Sequence, residues 1–241
     1  MAIKDFEKAL EIDPKYSEAF FHLGKSRLAS KDVMQAEKDF KKALDMSDKP
    51  EIYEGLGLCF HMKQEYEEAV NHFTDAISKD PTNVQFCRSL SRCYYDQDKF
   101  EQSITCLEKA RALLKEPDAN VYYELGLSLF AERQYKKCLK TLKEALKNDP
   151  HESFQPDIYY HLGLAYCREE KFEKAIFPLT KCIDRIPSDI RYTHERAKAY
   201  QMIEMHTEAV ADFNTVIKRN PQNAHAYFRR AFSLKALKEF A

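Results

Sequence analysis

Glycine is scarce in this chain, with five in 241 residues. No stretch alternates apolar and polar residues as a half-buried strand does, and no apolar run approaches the roughly 18 residues a membrane-spanning helix needs. These absences exclude a β-rich fold and a membrane span, and they leave a helical chain. An excess of one charge is missing as well: 38 basic against 39 acidic side chains give a formal net charge of −1, so no global field selects nucleic acid or an anionic membrane. The first residues, Met1 to Lys8, are charged rather than apolar and no Asn-X-Ser/Thr acceptor occurs, so no secretory signal is expected. Seven cysteines, an odd number without a Cys-X-X-Cys pair, read as buried thiols in a reducing compartment, which places the protein in the cytoplasm.

Catalytic and cofactor motifs are absent too. There is no Gly-rich phosphate loop, no His-Glu-X-X-His, no Gly-X-Ser-X-Gly and no Cys/His zinc spacing. The chain is therefore expected to be no enzyme, to hold no metal and to carry no cofactor. What it does contain is 44% hydrophobic residues, 12% of the chain being aromatic, under a surface rich enough in charge to bring the mean hydropathy to −0.61. That composition supports a continuous core with a solvated exterior.

The core residues recur. Leu-Gly occurs at Leu23-Gly24, Leu56-Gly57, Leu125-Gly126 and Leu162-Gly163, so four of the five glycines occupy one slot of a repeating unit. With that glycine as position 8, position 1 falls at Ser17, Pro50, Val84, Ala119, Pro156, Ile190 and Ala224, with spacings of 33, 34, 35, 37, 34 and 34 residues. Position 4 is then aromatic in Phe20, Tyr53, Tyr122, Tyr159 and Tyr227, and position 11 is large. Position 20 is small (Ala36, Ala69, Ser103, Cys138, Ala175, Ala209), and position 24 is Phe40, Phe73, Leu107, Leu142, Leu179 and Phe213. Position 32 is proline at Pro14, Pro81, Pro150, Pro187 and Pro221. Steps of three and four within positions 4 to 11 and 20 to 27 each trace one helix face, so every unit holds two helices, A and B. Small residues at positions 8 and 20 are expected to let the two backbones approach. Proline at 32 ends helix B.

This pattern resembles the tetratricopeptide repeat family along the whole chain. The resemblance implies an all-α fold, a right-handed α-solenoid of antiparallel helix hairpins. The whole repeats would be 17–49, 50–83, 84–118, 119–152, 156–189 and 190–223, with 1–16 a lone helix B and 224–241 a lone helix A. A hairpin cannot bury its apolar face alone, so stability comes from stacking. The last helix offers Tyr227, Ala231, Leu234 and Leu237 to a further partner, which leaves end-to-end self-association open. Repeat 3 fits least well, with Cys87 at position 4 and Ser91 at position 8. An insert at Ser153 to Gln155 precedes repeat 5, and Pro178 inside its helix B predicts a kink near Lys174 to Phe177.

In this family the side chains at positions 2, 5, 6, 9, 12 and 13 of helix A line a concave groove. Carried onto these residues, the groove would have an apolar floor of Tyr123, Leu127, Phe130, Tyr160 and Leu164, with basic rims of Arg88 and Arg92 before it and Arg191, His194, Lys198 and Arg229 after it. Such a surface suits a protein or peptide ligand with apolar or aromatic anchors and acidic flanks. The two-carboxylate clamp of heat-shock co-chaperones is not matched in any three consecutive units, since Glu195 stands where asparagine is required. The implied role is a protein interaction scaffold. The alternatives are a regulatory or substrate-docking arm of a larger enzyme, or a stacking component of a ciliary or transport assembly. A separate row, Lys136, Lys137, Lys140, Lys143 and Lys147, reads as a solvated convex face, with an acidic partner such as a tubulin tail or a lipid surface as the alternative.

Overall fold

The computed structural model describes residues 2–149 and 155–238. Among the described residues it holds fourteen α-helices and no strand, in two compact units. Unit 1 contains α1 (Ala2–Ile12), α2 (Ser17–Ala29), α3 (Val33–Met46), α4 (Pro50–Met62), α5 (Tyr66–Lys79), α6 (Val84–Tyr95) and α7 (Phe100–Leu113). Unit 2 contains α8 (Ala119–Ala131), α9 (Tyr135–Lys147), α10 (Gln155–Arg168), α11 (Phe172–Arg185), α12 (Ile190–Met202), α13 (His206–Arg219) and α14 (Ala224–Ala236). Within each unit an even-numbered helix packs on the odd-numbered helix that follows it, and that helix packs in turn on the next even-numbered one. The repeating periodicity thus becomes a stack of hairpins, each burying the apolar stripe of its neighbour.

The columns of small and large residues are the core. Ala36, Ala69, Cys138, Ala175 and Ala209, all at position 20, have no exposed surface, and neither have Phe40, Phe73, Leu142, Leu179 and Phe213 at position 24. Truncating one of those phenylalanines to alanine would cost about 3–5 kcal/mol, because neighbours in a close-packed stack collapse only partly into the void. Position 8 works differently from the expectation. The space left by each glycine is filled by the position-24 side chain of its own helix B, not by a partner backbone: a Cβ on Gly57 would lie 2.6 Å from Phe73, and one on Gly163 would lie 2.6 Å from Leu179. The pairing of small and large residues is therefore side chain into notch.

Hairpin turns carry a feature that the composition hides. Lys31, Gln64, Asp98, Arg133, Glu170, Glu204 and Lys238 all have positive φ, between 57° and 65°. All seven stand at position 15, just after helix A. In the unit 1 turns the next residue's amide closes back on the position-11 carbonyl, as Asp32 N to Arg27 O at 2.9 Å and Lys99 N to Tyr94 O at 2.9 Å; unit 2 repeats this with Lys171 N to Tyr166 O at 2.9 Å. This six-to-one bond is the Schellman closure, which usually has glycine in the left-handed slot. Helix starts are capped where side chains allow: Asp32, Asn83, Asp118, Asp189 and Asn223 each accept a backbone N–H of the first turn.

Three expectations meet the structure at their edges. Helix α10 starts at Gln155, one residue ahead of Pro156, because proline lacks only an N–H that the first turn does not use. Helix α14 stops at Ala236, short of the end of the 224–241 segment, and Lys238 takes the left-handed conformation that follows every helix A. Helix α11 runs from Phe172 to Arg185 with Pro178 buried inside it, so the proline does not terminate the helix. Pro150 and the inserted Ser153 and Phe154 lie outside the described residues.

Candidate functional site

The face built by the A helices of unit 2 carries most of the residues singled out in the sequence. Tyr123, Leu127 and Phe130 project from α8, Tyr160 and Leu164 from α10, Arg191, His194 and Lys198 from α12, and Arg229 from α14. The five apolar residues are half-buried rather than exposed. Three of them, Tyr123, Phe130 and Tyr160, are covered in part by a residue left out of the floor, His161. Its ring centroid lies 6.4 Å from that of Tyr123, 5.6 Å from that of Phe130 and 5.6 Å from that of Tyr160, each nearly edge-on. Nδ1 of His161 donates to the Asp157 carbonyl oxygen at 2.8 Å, which fixes the proton on that nitrogen. Burial pushes the His161 pKa down from its ordinary 6.5, against the opposing pull of the Asp157 carbonyl. A neutral imidazole therefore holds three aromatic rings together, and the cluster continues from Tyr160 to Tyr192 at 5.1 Å.

The rim is cationic but largely compensated. Arg191 stacks its guanidinium 5.7 Å from the Tyr160 ring centroid while its Nε donates to both oxygens of Asp189 at 3.0 Å. Lys198 Nζ donates to Glu195 at 2.8 Å, and His194 Nδ1 is 3.7 Å from the same carboxylate. Burial raises the Glu195 pKa, but the hydrogen bonds and charge of Lys198, with His194 close by, outweigh it and hold the group down to about 2. Arg229 donates to Gln201 Oε1 at 3.0 Å, and His225 lies 3.3 Å from His194 through ring nitrogens. Arg191, Lys198 and Arg229 of the expected basic rim are thus already engaged by carboxylate or amide oxygens, from Asp189 at the cap of α12 and from Glu195 and Gln201 on it. Burial raises the Tyr160 pKa, with the Glu195 charge adding to it, so its hydroxyl stays protonated.

Arg88 and Arg92 belong to unit 1, on α6, where Arg88 is half-buried and donates to Gln85 Oε1 at 3.2 Å, and Arg92 is exposed. Unit 1 also holds a concavity that sequence reasoning missed. Between α2 and α4 lies a cleft of about 480 Å³ walled by Phe21, His22, Lys49 and Glu51, and beside it one of about 320 Å³ that shares Phe21 and Glu51. Phe21, His22 and Glu51 occupy A-helix positions 5, 6 and 2, and Lys49 is the residue that precedes α4. Gly55 lines only the smaller cleft, and the space a side chain there would take is already filled by the Phe40 ring, so no single residue of the sequence marked the clefts.

Among the described residues no cluster of His, Cys, Asp and Glu could hold a metal ion, and no helix is long and apolar enough to cross a membrane. The cysteines are unpaired; six are buried and Cys167 is half-buried. Burial pushes the Cys138 thiol up to about 12, so its role at position 20 is packing.

Stacked helix hairpins with a side-chain-bearing inner face define the class of helical repeat scaffolds. The chain belongs to the tetratricopeptide repeat family, whose models match residues 21–84, 61–123 and 119–152, and residues 1–16 together with 156–189. It is 28% identical over 155 residues to the tetratricopeptide repeat protein 21 homolog of Caenorhabditis briggsae, covering 61% of this chain and 12% of that protein. It is 26% identical to the Hsp70-Hsp90 organizing protein 1 of Glycine max, covering 61% of this chain and 26% of that one. Both relatives are far longer than the stretch matched. Among solved structures, YrrB, described as a tetratricopeptide repeat protein with an unusual peptide-binding site, superposes with a TM-score of 0.64 at 24% identity, covering 78% of this chain and 96% of YrrB.

Proposed function

We propose that the chain is a non-catalytic scaffold that grips a peptide or helical segment of a partner protein on the A-helix face of unit 2. Tyr123, Leu127, Phe130, Tyr160 and Leu164 form the floor, and Arg191, His194, Lys198 and Arg229 meet acidic flanks. Arg88 and Arg92 serve the same purpose on unit 1. The observation that carries the reading is the half-exposed cluster of Tyr123, Phe130 and Tyr160 around His161. Rigid aromatics with few rotatable bonds anchor a ligand at low entropic cost, and here they are pre-organised by one another. That proteins similar to this one include a Hsp70-Hsp90 organizing protein and a structure with a peptide-binding site supports a polypeptide ligand. Thiols held protonated by burial suit a reducing, cytoplasmic setting.

The proposal extends to the division of the chain into six whole repeats between a lone helix B and a lone helix A. A second contact is supported by α14, where Tyr227, Phe228 and Phe232 are 41%, 71% and 61% exposed. That aromatic edge suits a further helix or another copy of the chain.

The test is affinity for short fluorescent peptides carrying a phenylalanine or leucine between glutamates. Replacing Tyr123 and Tyr160 together by alanine should weaken binding by about 2–4 kcal/mol, the cost typical of removing interface hot spots. Undiminished affinity in that double variant would remove the A-helix face from consideration.

A further inference from the structure

We propose that the outer face of α9 is a second, independent interaction surface that takes an extended acidic segment of a partner protein. Lys136, Lys137, Lys140, Lys143 and Lys147 are all exposed, and none makes an ion pair among the described residues. Several lysines elsewhere are neutralised from within the chain, Lys41 by Glu37 at 2.6 Å, Lys49 by Glu18 at 2.9 Å and Lys198 by Glu195 at 2.8 Å. Helix α9 has only Glu144 as an internal acid. Five lysines thus share one helix with a single carboxylate.

The arrangement also runs against the needs of the helix. Helices α5, α7, α11 and α13 place Glu67, Glu68, Glu101, Glu173 and Glu208 in their first turns, where the backbone dipole is positive. Helix α9 instead has no acid in its first turn, Lys136 and Lys137 there, and an N-cap, Gln134, whose side chain makes no capping bond. A charge pattern that the fold itself disfavours is retained on an exposed face, and an incoming carboxylate would relieve it.

Geometry selects the partner. Lys136, Lys140, Lys143 and Lys147 step by four, three and four residues, so their stems form one row about 16 Å long, spaced roughly 5–6 Å along the helix axis. Alternate side chains of an extended peptide recur about every 6.6 Å. A glutamate- or aspartate-rich strand laid along the helix would therefore meet successive lysines. Lys143 is steadied over the Tyr166 ring, 5.5 Å from its centroid. A lipid surface fits less well, because Cys138, Leu139, Leu142 and Ala145 of α9 are buried and the helix presents no apolar side chain to insert.

The experiment measures anisotropy of a fluorescein-labelled peptide of alternating glutamate and serine added to the intact chain. Binding should fall steeply as salt rises. Lys140→Gln, Lys143→Gln and Lys147→Gln combined should weaken it about tenfold or more, the corresponding Lys→Arg triple should keep it, and a Tyr123→Ala, Tyr160→Ala variant should leave it unchanged. A control triple on the equivalent helix α3, Lys38→Gln, Lys41→Gln and Lys42→Gln, should have little effect. Equal weakening by the two glutamine triples, or undiminished binding after the α9 changes, would overturn the proposal. So would phosphatidylserine vesicles that bind through α9 when the peptide does not.

Discussion

Phe40 fills the notch of Gly55 in the following helix hairpin: a Cβ built on Gly55 would lie 2.5 Å from Cε1 of the Phe40 ring, and one on Gly24, in Phe40's own hairpin, would lie 2.9 Å from the same atom. One ring thus locks two hairpins of unit 1 at once. Phe40 has no exposed surface, so it cannot swing clear.

Gly55→Ala is a sharp test of this lock. Alanine gains about 1 kcal/mol of helix propensity over glycine. Forcing a methyl group into a closed core costs about 1–3 kcal/mol. The clash should win, and chemical denaturation should find the variant less stable by about 1 kcal/mol. A stabilised Gly55→Ala would mean that Phe40 has room to move and that the notch is not filled as described.

A left-handed residue at position 15 makes a second prediction, at exposed Gln64. A β-branched side chain in that conformation is strained, so Gln64→Val should destabilise by about 1 kcal/mol. Gln64→Gly removes the strain and adds disorder to the unfolded chain, two effects of similar size, and its midpoint should stay within about 0.5 kcal/mol of the original. Equal losses in both variants would place the cost elsewhere than in the backbone angle.

The buried charges of unit 2 predict its acid response. Glu195 is held down to about 2, from an ordinary 4.5, so its stabilising contribution is complete above 4.5 and disappears as pH falls toward 2. His161 is pushed below its ordinary 6.5, so the neutral form is favoured by folding; that contribution is complete above 6.5 and is lost as pH falls through the lowered value. Both effects make the unit less stable in acid, His161 first. Glu195→Gln should flatten the lower limb of a stability-against-pH curve and leave the upper limb, and the reverse pattern would contradict the assignment.

Much of the fold was legible because stacking hairpins force one residue size into one slot. Gly24, Gly57, Gly126 and Gly163 revealed the period, and the A helices start at Ser17, Pro50, Val84, Ala119, Ile190 and Ala224, the residues the period marks. The turn conformation was not legible, since Lys31, Gln64, Asp98, Arg133, Glu170 and Glu204 share a backbone angle but no side-chain chemistry. What the glycines face was not legible either: a period shows that a small residue is needed, but not that Phe40 or Leu179 fills the space. On the candidate face, spacing placed Tyr123, Phe130 and Tyr160 together but could not show that His161 binds them, nor that Glu195 and Asp189 temper the neighbouring cations.

Amide hydrogen exchange, followed residue by residue as an anchor-bearing acidic peptide saturates the chain, tests the central claim most directly. Protection should grow in α8 and α10, around Tyr123, Phe130, Tyr160 and His161, and weaken when Tyr123 and Tyr160 are alanine. Protection confined to the B helices, or to the α2 and α4 cleft with none on α8 and α10, would contradict it.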